Sequence, residues 1–371
     1  MTDIPEPDRI EGAPHPRDTV RLIGQGAAEA AFLAAFNGAR LHHGWLITGP
    51  RGVGKATLAW RIARFLLATP AADGGMFAPP PPETLDIPEN HPVVRRLAAG
   101  SEPRLTLLRR PYDEKAARLR AEITVDEVRR MKSYFTLSAA DGGRRVAIID
   151  AVDEMNVSAA NALLKLLEEP PAAVTILLIS HQPAKLLATI RSRCRELRLA
   201  PLTPADLFDA LTQAGGEVQP GDAAALAELA GGSVGEAFRM TNLDGLKTYG
   251  SIVSLFATLP RLDRPRAATL ADSGAGKGAE PRFDLIVTLI DLFLARLARA
   301  GTLGHCPPEA ARGEADLIAR LSPHPAAARQ WADLAQVLGL RIRRGRAVNL
   351  DPAALLMDMV LKIDEVANAS M

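Results

Sequence analysis

The chain has 371 residues, 47% hydrophobic and 23% charged, which implies two or three domains and excludes a disordered or fibrous chain. A net charge of +1 excludes a strong global field toward nucleic acid or a membrane surface. Cys194 and Cys306, the only cysteines, are too few for a disulfide framework or a four-thiolate zinc site. Without an apolar run of spanning length or a signal core in the polar stretch Met1–Asp18, the expectation is a reduced, cytoplasmic protein with no membrane partner.

Residues 28–39 place Phe32, Leu33 and Phe36 at helical spacing. Trp45-Leu46-Ile47-Thr48 reads as a short strand. Gly49-Pro50-Arg51-Gly52-Val53-Gly54-Lys55-Ala56-Thr57 follows, then a helix with Leu58, Ile62, Phe65 and Leu66 on one face. Strand, glycine turn and helix form the setting of a phosphate-binding loop, whose pattern is Gly, four residues, Gly, Lys, then Ser or Thr. Here the last place is Ala56, so the hydroxyl that would hold magnesium is missing. Thr57 stands one position late, rotated by ~100° on the helix. The candidate nucleotide-binding residues are Gly49, Gly52, Gly54, Lys55, Ala56, Thr57 and Asp150.

Residues 70–95 are rich in Pro and Gly, with prolines at 79–82, and read as a loop or insertion. Leu105–Leu108 reads as a strand. Thr124 and Glu127 form a capping box before a helix through Met131 and Tyr134. Val146–Asp150 is an apolar run ending in a carboxylate, as a buried parallel strand would be. Asp150 stands where a magnesium-orienting acid belongs, but the next residue, where a water-positioning Glu would act, is Ala151. Asp153 and Glu154 are expected in an exposed acidic turn, ~7–10 Å from that place. A helix over about 157–168 must stop before Pro170-Pro171. Thr175–Ser180 is a further buried strand. A short helix from Pro183 and a strand near Glu196–Leu199 complete an α/β layer with a largely parallel sheet.

Beyond Pro201 no strand is expected. Short helices fill 203–245, and longer helices fill 250–371, broken by a polar Gly/Pro linker at 261–282. His42 and His43 read as packing or turn residues. Trp45, Trp60 and Trp331 read as core, and Arg341, Arg343, Arg344 and Arg346 as a solvated helix end.

Asn161-Ala162-Leu163-Leu164-Lys165-Leu166-Leu167-Glu168-Glu169-Pro170-Pro171, with Arg191-Ser192-Arg193-Cys194, resembles the clamp-loader branch of the AAA+ family. The likeness includes Leu41–Gly49 and Gly232-Ser233-Val234-Gly235-Glu236-Ala237, and covers residues 20–240. It implies an AAA+ P-loop domain over 1–200, a small helical lid over 201–247 and an all-α collar over 248–371 for oligomerisation. It also implies that Arg193 is an arginine finger, reaching the γ-phosphate held by a neighbouring subunit. From the residues alone, a structural pairing of Arg193 with Glu196 or Glu168 stays open.

The family's active motors carry Ser/Thr, Glu and a lid Arg where this chain has Ala56, Ala151 and Gly235. Arg239 lies about a turn beyond that last position. The resemblance therefore implies a non-hydrolysing member of the ring, with no catalytic group of its own except the trans Arg193. The alternative is an active motor (gamma/tau-like) or DNA-repair AAA+ ATPase, with Thr57 and Asp153 recruited. The implied partners are motor subunits (gamma/tau), a clamp-opening subunit (delta), and the sliding clamp and primed DNA through the complex. No cofactor is required, and ATP or ADP could be held without turnover. Some relatives carry a zinc module where this chain has the cysteine-free stretch 70–95, so no metal is expected.

Overall fold

The computed structural model describes residues 6–10, 12–38, 41–69, 80–116, 118–137, 143–219 and 221–370. The expectations for 70–79, which include Pro79, and for Ala39 lie outside the described residues. The chain divides into two compact units. The first comprises Met1–Gly215 with Gly232–Gly235, the second Gly216–Gly231 with Glu236–Met371.

The first unit is an α/β layer. In chain order it holds α1 (Gly26–Asn37), β1 (Gly44–Thr48), α2 (Lys55–Ala68), α3 (Pro92–Ala98), β2 (Leu105–Arg109), β3 (Tyr112–Asp113), β4 (Arg118–Leu119), α4 (Val125–Leu137), β5 (Arg145–Asp150), α5 (Val157–Glu168), β6 (Val174–Ser180), α6 (Ala188–Arg191), β7 (Arg195–Arg198) and α7 (Pro204–Gln213). Five strands form one parallel sheet in the order β2-β5-β6-β1-β7. Its central strands β1, β5 and β6 are buried throughout, which is why they read as continuous apolar runs rather than alternating ones. The small ribbon β3–β4 is antiparallel.

Local signals set the boundaries. The Thr124 backbone N–H donates to Glu127 at 2.9 Å, half of the expected capping box. Asn156 accepts from the Ala159 N–H at 2.9 Å and caps α5. The stretch 70–95 is only partly loop, because α3 starts at Pro92 under a His91 cap.

The second unit is helical: α8 (Ala223–Ala230), α9 (Val234–Asn242, from Glu236 onward), α10 (Gly245–Phe256), α11 (Arg264–Ser273), α12 (Glu280–Leu303), α13 (Glu314–Leu321), α14 (Pro325–Ala347) and α15 (Pro352–Ser370). Among its described residues there is no strand. Phe256 and Phe293 pack ring on ring at 5.2 Å, and the Trp331 indole donates to the Leu321 carbonyl at 2.8 Å.

Glu314 is fully buried. It accepts from the Tyr249 hydroxyl, Arg296 Nε at 2.6 Å and the Ala310 N–H at 2.7 Å. A buried carboxylate of this kind is stable only because its oxygens are satisfied.

The linker expected at 261–282 is a correction. Residues 264–273 are the helix α11. Asp263 caps it by accepting from the Arg266 N–H at 3.1 Å, with Pro265 in the first turn and Gly274 at its end. Pro265 and Gly274, of the kinds that suggested a linker, are the helix's own start and stop residues.

Candidate functional site

All five long strands run the same way, so their carboxyl ends share one edge of the sheet. The phosphate loop follows β1 at that edge. It turns through Gly49 and Gly52, with φ of +142° and +72°, conformations open to glycine. A Cβ at Gly52 would lie 2.2 Å from Ser233 Oγ and 2.8 Å from the Gly235 nitrogen. Gly235 donates its N–H to the Gly52 carbonyl at 3.3 Å. Its own Cβ position would stand 2.9 Å from Ile10 and 3.1 Å from Gly52 Cα. The lid position therefore lies against the loop backbone with no room for a long basic side chain.

Lys55 opens α2 and is buried. Its ammonium donates to the Gly49 carbonyl at 2.8 Å and to the Pro50 carbonyl. Burial pulls its pKa down to about 8 against the opposing pull of Asp150 and Asp153. Asp150 ends β5, as expected of the acidic position, and is buried. Burial, then the negative charges of Asp8 and Glu154, push its carboxyl up to about 7. With Ala56 lacking a hydroxyl, these residues do not fit a divalent cation. The loop amides and Lys55 do suit a phosphate anion. Ala151 is 2% exposed, so its position is closed around a methyl group.

Asp153 and Glu154 correct the expectation of an exposed acidic turn. Both are half-buried. The Asp153 carboxylate accepts from Ser180 Oγ at 2.6 Å, from the His181 N–H, and from the Gln182 N–H at 3.2 Å. It thereby pins the end of β6. Glu154 pairs with Arg110 at 2.7 Å and reaches Arg51 at 3.9 Å. Neither is placed as a spare catalytic acid.

Two polar residues beside the loop were not foreseen. Gln25 donates to the carbonyls of Val53 at 3.2 Å and Ala200 at 2.8 Å, tying the loop to the residues after β7. His181 follows β6. Burial, and then the charges of Lys55 and Arg51, hold its imidazole down to about 4. The signal for His181 was available, since the residue after a buried parallel strand sits at the carboxyl edge where such sheets bind ligands. No comparable sequence signal marks Gln25.

Arg193 lies at the other end of the sheet. It precedes β7, and its carbonyl oxygen is 3.2 Å from the Cβ position of Gly44, the first residue of β1. Its guanidinium pairs with Glu168 at 2.9 Å and donates to the Thr189 carbonyl at 3.1 Å. Of the two pairings left open, Glu168 is the one formed. Glu196 instead accepts from the Thr48 hydroxyl at 2.6 Å. Arg239 is held by Thr288 at 3.2 Å and Glu236 at 3.6 Å.

His42 and His43 stack at 4.4 Å, and His43 bonds the Leu167 carbonyl at 2.9 Å, so both are packing groups. Trp45, Trp60 and Trp331 are core. Arg341 pairs with Asp358, and Arg346 with Asp284.

Residues 24–203 match the family model described as DNA polymerase III, delta subunit. Over this part, a little under half of its length, the chain is similar to the delta subunit family of DNA polymerase III. It is 40% identical to DNA polymerase III subunit delta' of Pseudomonas aeruginosa, over 41% of this chain and 41% of that protein. It is 28% identical to the Bacillus subtilis delta', over 59% of this chain and 60% of the relative. It is 27% identical to the Escherichia coli delta', over 90% and 92%. The chain thus spans about two fifths and three fifths of the length of the first two of these relatives.

Proteins named DNA polymerase III subunit gamma and subunit tau also match. One is tau of Salmonella typhimurium, 28% identical over 73% of this chain and 40% of tau. Among solved structures, a gamma subunit-related protein of Thermotoga maritima covers 91% of this chain and 99% of its own, with 16% identity and a TM-score of 0.36. The α/β class with a helical C-terminal part stands as expected from the sequence.

Proposed function

We propose that this protein is the non-hydrolysing, delta'-like subunit of a clamp-loader ring, and that it supplies Arg193 to the nucleotide of a neighbouring motor subunit. The observation that carries this reading is the position of Arg193. It sits at the amino end of the sheet, whereas its own phosphate loop lies beyond the carboxyl end of β1. A five-residue strand separates the two by ~16 Å, more than an arginine side chain spans. Arg193 therefore serves no phosphate in its own loop. Its pair with Glu168 is between half-exposed groups and is worth no more than ~1 kcal/mol, so it opens readily for a stronger anion.

The loop itself supports the non-hydrolysing half of the proposal. It offers amides and Lys55, but neither a magnesium hydroxyl at Ala56 nor a water-orienting acid at Ala151. ATP or ADP would be held, if at all, without turnover. In this reading 1–200 is the AAA+ domain, 201–247 the lid and 248–371 the collar. Partners would be motor subunits of the gamma/tau kind and a clamp-opening subunit, acting on a sliding clamp and primed DNA.

The test is the ATPase rate of a complex reconstituted with the gamma/tau subunits. Replacing Arg193 by Ala should remove the turnover of the one site it completes, a loss of ~10³-fold at that site. Arg193→Lys should rescue little, because the planar fork is what matches the phosphoryl oxygens. An unchanged rate would overturn the finger. Steady ATP hydrolysis by the isolated protein would overturn the non-hydrolysing role.

A further inference from the structure

The segment before α1 lies along the carboxyl edge of the sheet in two parts that are held differently. Residues 17–22 are fixed to the loop and its helix. Buried Arg64 of α2 donates to the Arg17 carbonyl at 2.7 Å, and buried Arg61 donates to the Val20 carbonyl. Leu22 rests on the loop itself, 2.6 Å from the Cβ position of Gly54. Residues 6–10 have a lighter hold. The Arg109 guanidinium, at the end of β2, donates to Asp8 at 2.6 Å and to Glu6 at 2.7 Å. His15 Nε2 stands 3.2 Å from Asp8. The Asp8 side chain is 1% exposed, and its charge reaches Asp150 and opposes ionisation there. Ile10 then lies over the lid turn. Its Cδ1 is 2.9 Å from the Cβ position of Gly235, which is itself 3.1 Å from Gly52 Cα. Ile10 is nevertheless 37% exposed, so little apolar burial keeps it there.

Ion pairs hold such a tip without fixing it. The carboxylates and the guanidinium lose hydration when they meet and regain it when they part, so the net cost of opening is far below the bare attraction. A phosphate alone sits within the loop. A nucleoside attached to that phosphate needs room beyond the loop, and Ile10 takes the room beside Gly52 and Gly235.

We propose that residues 6–10 are a self-blocking strap. Docked, they exclude a nucleoside from the phosphate loop but not a free phosphate, and a nucleotide binds only when they lift. This rests on the reading that the loop still accepts phosphate. Nucleotide affinity is then lowered in proportion to the fraction of molecules whose strap is lifted, by about tenfold where that fraction is about one tenth.

Calorimetric titration of the full chain, without magnesium, compares ADP with inorganic phosphate in wild type and in the double variant Asp8→Ala, Ile10→Ala. The variant should bind ADP at least about tenfold more tightly than wild type, and inorganic phosphate within about twofold of it. Lifting is also read on wild type alone, as trypsin cleavage between Arg9 and Ile10 followed by mass spectrometry. Saturating ADP should speed that cleavage severalfold, because cleavage follows the population of the lifted form, and inorganic phosphate should leave it unchanged. That readout does not depend on any variant folding.

Equal ADP affinity in wild type and variant, or cleavage that bound ADP leaves unchanged or slows, would overturn the strap and leave the phosphate-accepting loop intact. An equal gain for inorganic phosphate would also overturn it, since the block would then not be against the nucleoside. No binding of either ligand at millimolar concentration, by wild type or variant, would overturn the strap and the loop together.

Discussion

Asp150 is a buried carboxyl at the end of β5, beside the loop. Its carboxyl is held near pH 7 by burial and by the charges of Asp8 and Glu154. The folded pKa lies above the ordinary value of 3.8, so the group's stabilising contribution is complete below pH 3.8 and is lost as pH rises through 7. Asp150→Asn removes that loss. The variant should be more resistant to urea than wild type at pH 8, by ~1–4 kcal/mol, and equal to it at pH 4. Equal midpoints at both pH values would show that Asp150 ionises freely. At this scale the sequence was informative wherever a motif fixes geometry, as for Lys55, Asp150 and Gly52. It misjudged Asp153, because nothing local reveals that three donors from the end of β6 converge on that carboxylate.

Among the elements, strands and caps were legible for a physical reason. A parallel strand covered on both faces must be continuously apolar, so Val146–Asp150 and Thr175–Ser180 were readable. Thr124 with Glu127 marked a helix start because the glutamate can accept an otherwise orphan N–H. The same rule, passed over, explains the missed α11. Asp263 caps it, and Ala267 and Ala271 are its buried face, but two alanines make too faint an apolar stripe to see. Asp263→Ala should therefore cost the second unit ~1 kcal/mol, read as a lower denaturation midpoint, with Asp263→Ser recovering most of it. No change would mean that α11 is held by packing alone. The buried Arg296–Glu314–Tyr249 network was invisible in sequence, because its members are 18 and 65 residues from Glu314.

At the scale of the whole molecule, the proposed function makes the surfaces that join other subunits the ones to test. The collar assignment of the helical region 248–371 can be tested on α14. Leu334, Leu338 and Ile342 of that helix are buried, whereas Val337 and Leu340 are 50% and 51% exposed. These two lie three residues apart, on one outward face of the helix. Exposed apolar side chains grouped on one line mark an interaction surface more often than scattered ones do. Val337→Asp with Leu340→Asp should leave the melting transition of the isolated protein within ~0.5 kcal/mol of wild type, since neither side chain is core. The same pair should weaken co-purification with the motor subunits by tenfold or more, because a carboxylate buried in an interface without a partner costs several kcal/mol. Association at wild-type strength would move the interface off this face of α14. It would leave Arg193, at the amino end of the sheet, as the feature by which this subunit is best tested in the ring.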